Sequence, residues 1–423
     1  MAKIVLSTLG SLGDLHPMIA LGLELRRRGH EAVINSLEGY RETVSDLGLG
    51  FAPLRPEVDE ADEELIRRLV DADTGPETVI RELVMPNLAD MYDDLSSACI
   101  GADLLVTGEL IYVAKSFTEK TGIKWVSTSL SPITMFSAED PSVYPGYSWM
   151  EYFRPLPAFL HRASLNIARG VISHWLDPFR NFRRSLGLDP NSDPMFVDKY
   201  SDILHLAMFS RALARTQSDW PSNTLQTGFC YYDESEAGLD DELESFLNEG
   251  EAPIVFTLGS AAVLDARDFF EVSAAAARDL GKRAALLYGR EQPRPARAGG
   301  EIAACEFAPY SMVFPRAACV VHQGGVGTTG QALRAGVPQL IMPFSHDQPD
   351  NAARCRRSGV AEVIDREIYT KESAKKALQK LLQEPDYRSS AVELKRIVDS
   401  EHGTVTACDA IEEILRIPTQ PLR

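Results

Sequence analysis

One pattern leaves few folds open to this chain: a short buried-type strand, a turn and an apolar-periodic helix, repeated along most of its length and begun afresh near residue 252. Lys3-Ile4-Val5-Leu6-Ser7 reads as the first strand and Gly10-Ser11-Leu12-Gly13-Asp14 as its loop. Residues 17–28 then place Met18, Ile19, Leu21, Leu23 and Leu25 at helical spacing, and Gly29 ends the helix. Residues 32–35, 103–107 and 124–128 read as further strands. The plan restarts at 253–258, with strands at 284–288, 318–321 and 339–342. Such alternation marks parallel sheets with crossover helices, so the expected fold class is α/β in two halves. The boundary is expected between Phe209 and Pro221, where Ser210, Gln217 and Ser218 cluster, and residues 289–300 read as an exposed loop.

Composition removes several classes of function. The formal charge is −18 over 423 residues, which argues against general nucleic-acid binding. No run approaches the ~20 apolar residues of a membrane-spanning helix, and the first ten residues turn polar too quickly for a signal peptide. Cys99, Cys230, Cys305, Cys319, Cys355 and Cys408 are scattered, without C-x-x-C or histidine spacing. Neither structural zinc nor a disulfide framework is indicated, and the expected compartment is a reducing cytoplasm.

Three loops carry the chemistry. In Val320-Val321-His322-Gln323-Gly324-Gly325-Val326-Gly327-Thr328-Thr329 a strand runs into a glycine-rich turn, and a helix is expected to begin at the threonines. Glycines let a ligand approach the backbone, and a helix start offers N–H groups and a positive dipole end to a diphosphate. No lysine completes a P-loop, and no G-x-G-x-x-G follows the first strand, so kinase and nicotinamide readings are weak. Next comes Phe344-Ser345-His346-Asp347-Gln348, on the same expected sheet edge. Asp347 and Gln348 suit the vicinal hydroxyls of a sugar, with Asp350 or Asn351 left to cap the following helix. In the first loop Asp14 is either a general base or a helix N-cap, and His16 is a rival base.

As an ordered set these motifs are specific. Gly-Ser-x-Gly-Asp, Asp219-Trp220-Pro221, Thr227-Gly228-Phe229, Val255–Ser260, Phe307-Ala308-Pro309, the His322 loop, Ala335-Gly336-Val337-Pro338 and Asp347-Gln348 run nearly end to end. The chain resembles the nucleotide-sugar glycosyltransferases of natural products and sterols, and in pattern it is most similar to the rhamnosyltransferase type of rhamnolipid synthesis. The resemblance implies the GT-B architecture, two Rossmann-like domains facing a cleft. Residues 1–215 would bind the acceptor, 216–403 the UDP- or dTDP-sugar donor, and 404–423 would return to the N-terminal domain. It implies that Phe307 stacks on the base, that the Ala308 backbone pairs with it, and that Ser11, Ser260, His322, Gly324, Gly325, Gly327 and Thr328 hold the donor. Asp347 and Gln348 would bind the sugar. Asp14 falls where the family places its acceptor-activating base, with aspartate as in bacterial members rather than the histidine of plant members. Phe307 stands where plant members have tryptophan, which leaves uracil and thymine open.

The implied reaction is an inverting displacement at the anomeric carbon, without cofactor or metal. Asp71-Ala72-Asp73, the only Asp-x-Asp triplet in the sequence, reads as solvated surface. The leaving diphosphate is then expected to be met by the helix start and His322. An aromatic stretch with Trp125, Ser131, Phe136 and Trp149 reads either as the wall of a site for an apolar or lipid-like hydroxyl acceptor or as ordinary loop and core packing. Residues 154–184 carry Arg154, Arg162, Arg169, Arg180, Arg183 and Arg184 against Asp177 alone. That segment reads either as a surface helix or as a peripheral contact with an anionic membrane. Two other readings stay open: a nucleotide-sugar epimerase of the same fold and a non-catalytic helper.

Overall fold

The computed structural model describes residues 1–58, 62–233, 238–290 and 292–417. Its first sheet is built from β1 (Lys3–Ser7), β2 (Glu31–Ser36), β3 (Gly50–Pro53), β4 (Leu104–Thr107), β5 (Lys124–Ser129), β6 (Leu204–Ala207) and β7 (Thr224–Gln226), in the order β3-β2-β1-β4-β5-β6-β7. The second holds β8 (Ile254–Thr257), β9 (Ala284–Leu287), β10 (Ile302–Cys305), β11 (Cys319–His322), β12 (Gln339–Ile341) and β13 (Ala361–Val363), in the order β10-β9-β8-β11-β12-β13. Every pairing is parallel. Both sheets reverse their winding at their first strand, between β1 and β4 and between β8 and β11. Ligands of open α/β sheets bind outside the carboxyl ends of the strands at such a point.

The strands are apolar on both faces because helices cover both. Ile4 and Leu6 pack with the helix Leu12–Arg27, while Val5 between them packs with the helix Leu88–Ala98 on the other side. In the second sheet Ile254 and Phe256 lie in one core cluster and Val255 in another. A further cluster joins Phe209 and Trp220 to Leu333, Ile341 and Ala352, so the two halves share apolar packing. The final helix, Gly403–Arg416, packs on the first domain. It buries Ala407, Cys408 and Ile411 against the Leu12–Arg27 helix, and Arg28 holds its Asp409 and Glu412 at 2.6 and 3.0 Å. Residues 418–423 of the expected last segment lie outside the described residues. Among the described residues no helix is long and apolar enough to cross a membrane.

Several expected boundaries move. The first helix starts at Leu12, not at 17, because Ser11 and Asp14 form a capping box that nucleates it a turn and a half earlier. Pro17 is therefore inside the helix. Gly259 and Ser260, which follow β8, begin a short helix, Gly259–Ala262. The helix after the glycine turn starts at Val326 rather than at the threonines, with Gly325 as N-cap. The next runs from Gln348 to Arg357, so Asp347, not Asp350 or Asn351, takes the N-cap position. The first sheet continues through β7, which carries the N-terminal domain past the expected boundary at 215 to Gln226.

Candidate functional site

Ser7 of β1 lies opposite Thr107 of β4, so the loops leaving these strands emerge side by side. The β1 loop turns at Gly10, whose φ of 141° puts a would-be Cβ 2.2 Å from Asp14 Oδ2; only glycine fits there. Ser11 caps the helix by accepting from Gly13 N at 3.2 Å, and its own N–H donates to Asp14 Oδ2 at 2.9 Å. Asp14 therefore projects from the first helical turn, partly buried. Burial, aided by the nearby charges of Glu109 and Asp347, pushes its carboxyl up to about 7, while the Ser11 hydrogen bonds pull the other way. His16 is placed differently. Its ring meets Tyr232 edge-on at 5.3 Å, and burial lowers it to about 4.

Glu109, which no sequence motif marks, follows β4 and Gly108. Its Oε1 accepts from Leu130 N at 3.1 Å and from Thr134 Oγ1 at 2.6 Å. The one available signal is its position: a carboxylate just beyond a buried strand, at the edge that carries Asp14. Three carboxylates, Asp14, Glu109 and Asp347, thus act on one another across the space between the two sheets.

On the second sheet, His322 closes β11 and is wholly buried. Its Nε2 lies 2.9 Å from Gln339 Oε1, and its Nδ1 accepts from Gly324 N at 3.0 Å; burial lowers it to about 4. The neutral ring builds the turn rather than lining it, contrary to the expectation that it would itself meet the diphosphate. Gly324, with φ of 92°, would drive a Cβ to 2.8 Å from Ile341 and 3.1 Å from the Gln348 carbonyl. Gln323 lies against both Gly259 and Gly325, where a Cβ would come within 2.3 and 2.8 Å of its Nε2. Gly327 has open space above it, and Thr328 is buried in the first turn of the helix Val326–Ala335. Ser260 is exposed and Ala308 buried. The Phe307 ring carries the Arg290 guanidinium 4.4 Å from its centroid.

Asp347 and Gln348 are already engaged. Asp347 Oδ2 accepts from Val326 N at 3.0 Å and Asn351 Nδ2 at 2.7 Å, and burial raises its carboxyl to about 6. Gln348 Oε1 accepts from Phe344 N at 2.8 Å. The preceding His346 holds a left-handed φ of 57° and donates across the cleft to the Leu69 carbonyl at 2.8 Å. The helix that Gln348 opens is tied to the first domain by buried charges. Arg354 pairs with Asp350 at 2.8 Å and with Asp140; Asp140 also takes Arg154 at 2.9 Å, and Val143 N donates to Asp350 at 3.0 Å.

The expected acceptor residues part company. Trp125 is buried in β5, its Nε1 donating to Thr107 at 2.8 Å, and lines a small cavity together with Glu109, Tyr112 and Lys199. Ser131 and Phe136 flank the turn held by Glu109; Phe136 packs 4.6 Å from Phe196 beneath the Lys199 ammonium. Trp149 stands exposed in the turn Ser148–Phe153. Asp71 and Asp73 sit between two helices, where Asp71 accepts from Thr74 N at 2.8 Å. Among the described residues no group of three histidine, cysteine or acidic side chains could hold a metal ion.

Comparison with known proteins agrees with this layout. Residues 286–406 match the family described as "Erythromycin biosynthesis protein CIII-like, C-terminal domain". The chain is 33% identical over 425 residues to the O-mycaminosyltylonolide 6-deoxyallosyltransferase of Streptomyces fradiae, with 97% of each chain covered. Among solved structures it resembles the glycosyltransferase of kitacinnamycin (TM-score 0.77, 19% identity, 98% of this chain and 99% of that one). It also resembles the glycosyltransferase VinC in complex with dTDP (TM-score 0.68, 20% identity, 98% of this chain and all of that one). With two parallel sheets opening their carboxyl edges on a shared cleft, and a relative matched from end to end, the chain belongs to the nucleotide-sugar glycosyltransferases and is an enzyme of that family.

Proposed function

We propose that this enzyme is an inverting, metal-independent transferase that moves a hexose from a dTDP- or UDP-sugar to a hydroxyl of an apolar acceptor, with Asp14 as general base. The observation that carries this reading is the placement of Asp14. Its carboxyl stands near 7 at the winding reversal of the first sheet, within electrostatic reach of Asp347 at the corresponding edge of the second. A base is most effective when its pKa lies near the working pH. The dTDP carried by the VinC structure and the 6-deoxyallosyl transfer named for the Streptomyces relative favour a dTDP-linked sugar.

In this reading Phe307 and the Ala308 backbone take the base. Ser11, Ser260, Gly324, Gly325, Gly327 and Thr328 surround the diphosphate, with His322 fixing their turn. The amino-terminal end of the Val326–Ala335 helix faces the charge that develops on the leaving nucleotide. Sugar hydroxyls compete with Val326 N and Asn351 for Asp347, and with Phe344 N for Gln348. Asp14 removes the acceptor's proton as its oxygen attacks the anomeric carbon from the side opposite the nucleotide, which inverts the centre. Calorimetric titration of dTDP and UDP, with and without EDTA, tests the donor half. Binding unchanged by EDTA supports the reading, and failure of both nucleotides to bind refutes it. The anomer of the product, read by NMR, tests inversion.

A further inference from the structure

The helix Ala158–Ile172 half-buries Ala158, Leu165 and Ile172 and leaves the rest of its apolar surface exposed. A surface helix ordinarily buries its apolar stripe, yet its one buried residue is His161. Phe159, Ala163, Ile167 and Val171, four residues apart and so on one face, are exposed; Phe159, Ile167 and Val171 show 66, 69 and 67% of their surface. Tyr152, Phe153, Leu156 and Leu160 extend this surface, with Tyr152 85% exposed. An apolar patch of this extent on a surface marks something that covers it.

Charge narrows what that is. Residues 152–176 contain no aspartate or glutamate, in a chain with 61 acids and a formal charge of −18. Arg162 and Arg169 flank the stripe, 58 and 44% exposed, and are anchored by Glu139 at 3.8 Å and Asp193 at 2.5 Å. Tyrosine beside exposed aliphatic residues and arginine is the composition that rests at the headgroup level of a bilayer. We infer that the exposed face of residues 152–171 docks this enzyme on an anionic lipid surface. Its aromatic and aliphatic side chains enter the interface, and Arg162 and Arg169 lie among the headgroups. The remainder of the molecule, strongly acidic, is repelled by the same surface, so this is the orientation that electrostatics allows. The inference does not depend on which sugar is transferred.

The test is sedimentation of the full chain with vesicles of phosphatidylcholine containing about a third phosphatidylglycerol, against vesicles of phosphatidylcholine alone. Binding is expected to the anionic vesicles, weakened by salt, and lowered at least tenfold in Ile167→Asp and Val171→Asp. Both positions are exposed, so melting temperature and dTDP affinity should be unchanged and will report any misfolding. Arg162→Gln should weaken binding to anionic vesicles only. No binding to anionic vesicles at millimolar lipid overturns the inference, as does binding that ignores the two aspartates. Self-association of the free chain that Ile167→Asp abolishes also overturns it, since the face would then serve a protein.

Discussion

Replacing Glu109 by glutamine removes one negative charge from beside Asp14 while keeping the acceptor for Leu130 N and Thr134. With the Asp14 carboxyl at about 7, about a tenth of it is ionised at pH 6 and about nine-tenths at pH 8. If the ionised form is the base, kcat/KM of the wild-type enzyme rises about tenfold between those two pH values. Without the Glu109 charge the Asp14 carboxyl falls toward its ordinary range. At an effective dielectric near 20, a unit charge about 10 Å away shifts the rising limb by about one pH unit. In Glu109→Gln the limb should move to lower pH, leaving activity at pH 6 higher relative to its plateau than in the wild type. Asp14→Asn anchors the comparison: dTDP binding is kept, and turnover falls by about 10²–10⁴, the usual contribution of a positioned base. A wild-type profile flat from pH 5.5 to 8.5 would refute the reasoning, as would Asp14→Asn retaining more than about a tenth of turnover. Asp14→Asn inactive with an unshifted Glu109→Gln profile would keep the base and discard the role of Glu109.

The same carboxyl bears on stability. Its folded value lies above the ordinary one, so its contribution is fully present below about pH 4 and is lost as pH rises through 7. Asp14→Asn should therefore melt higher than wild type at pH 8, by roughly 1–3 kcal/mol once partial exposure is allowed for, and no higher at pH 4. Histidine works in the opposite sense: His322, lowered to about 4, contributes stability above about pH 6.5 that is lost as pH falls toward 4. His322→Ala should cost about 2–3 kcal/mol by orphaning Gly324 N and Gln339, and should weaken dTDP binding by loosening the turn, read by calorimetry. Arg354→Met leaves Asp350 buried without its cation and Asp140 with Arg154 alone, and should cost about 3–5 kcal/mol in thermal unfolding. Gly10→Ala places a methyl against the Asp14 carboxylate and should remove most turnover while leaving dTDP affinity intact.

Much of this protein was legible along the chain. Strand and helix periods depend on neighbours in sequence, so β1, β2, β8 and β11 fall within a residue or two of their expected places. Glycine positions were legible for a related reason: Gly10 and Gly324 occupy backbone conformations that other residues reach only with strain, and the sequence marks such points directly. What remained hidden depends on residues far apart. Whether Asp14 was a cap or a base could not be separated by spacing. The structure gives the N-cap to Ser11 and makes Asp14 its third-residue partner in the capping box, with a carboxyl whose pKa is raised by burial and by Glu109 and Asp347, which come from loops after other strands. Trp125 could be read along the chain as pocket wall or as core, and the pairing of β5 between β4 and β6 buries it with one side on a small cavity. The apolar residues of 158–172 had the period of a packed helix. Which face of a helix turns inward is set by what stands beside it, and here Leu165 and Ile172 turn in while Phe159, Ile167 and Val171 stay outside.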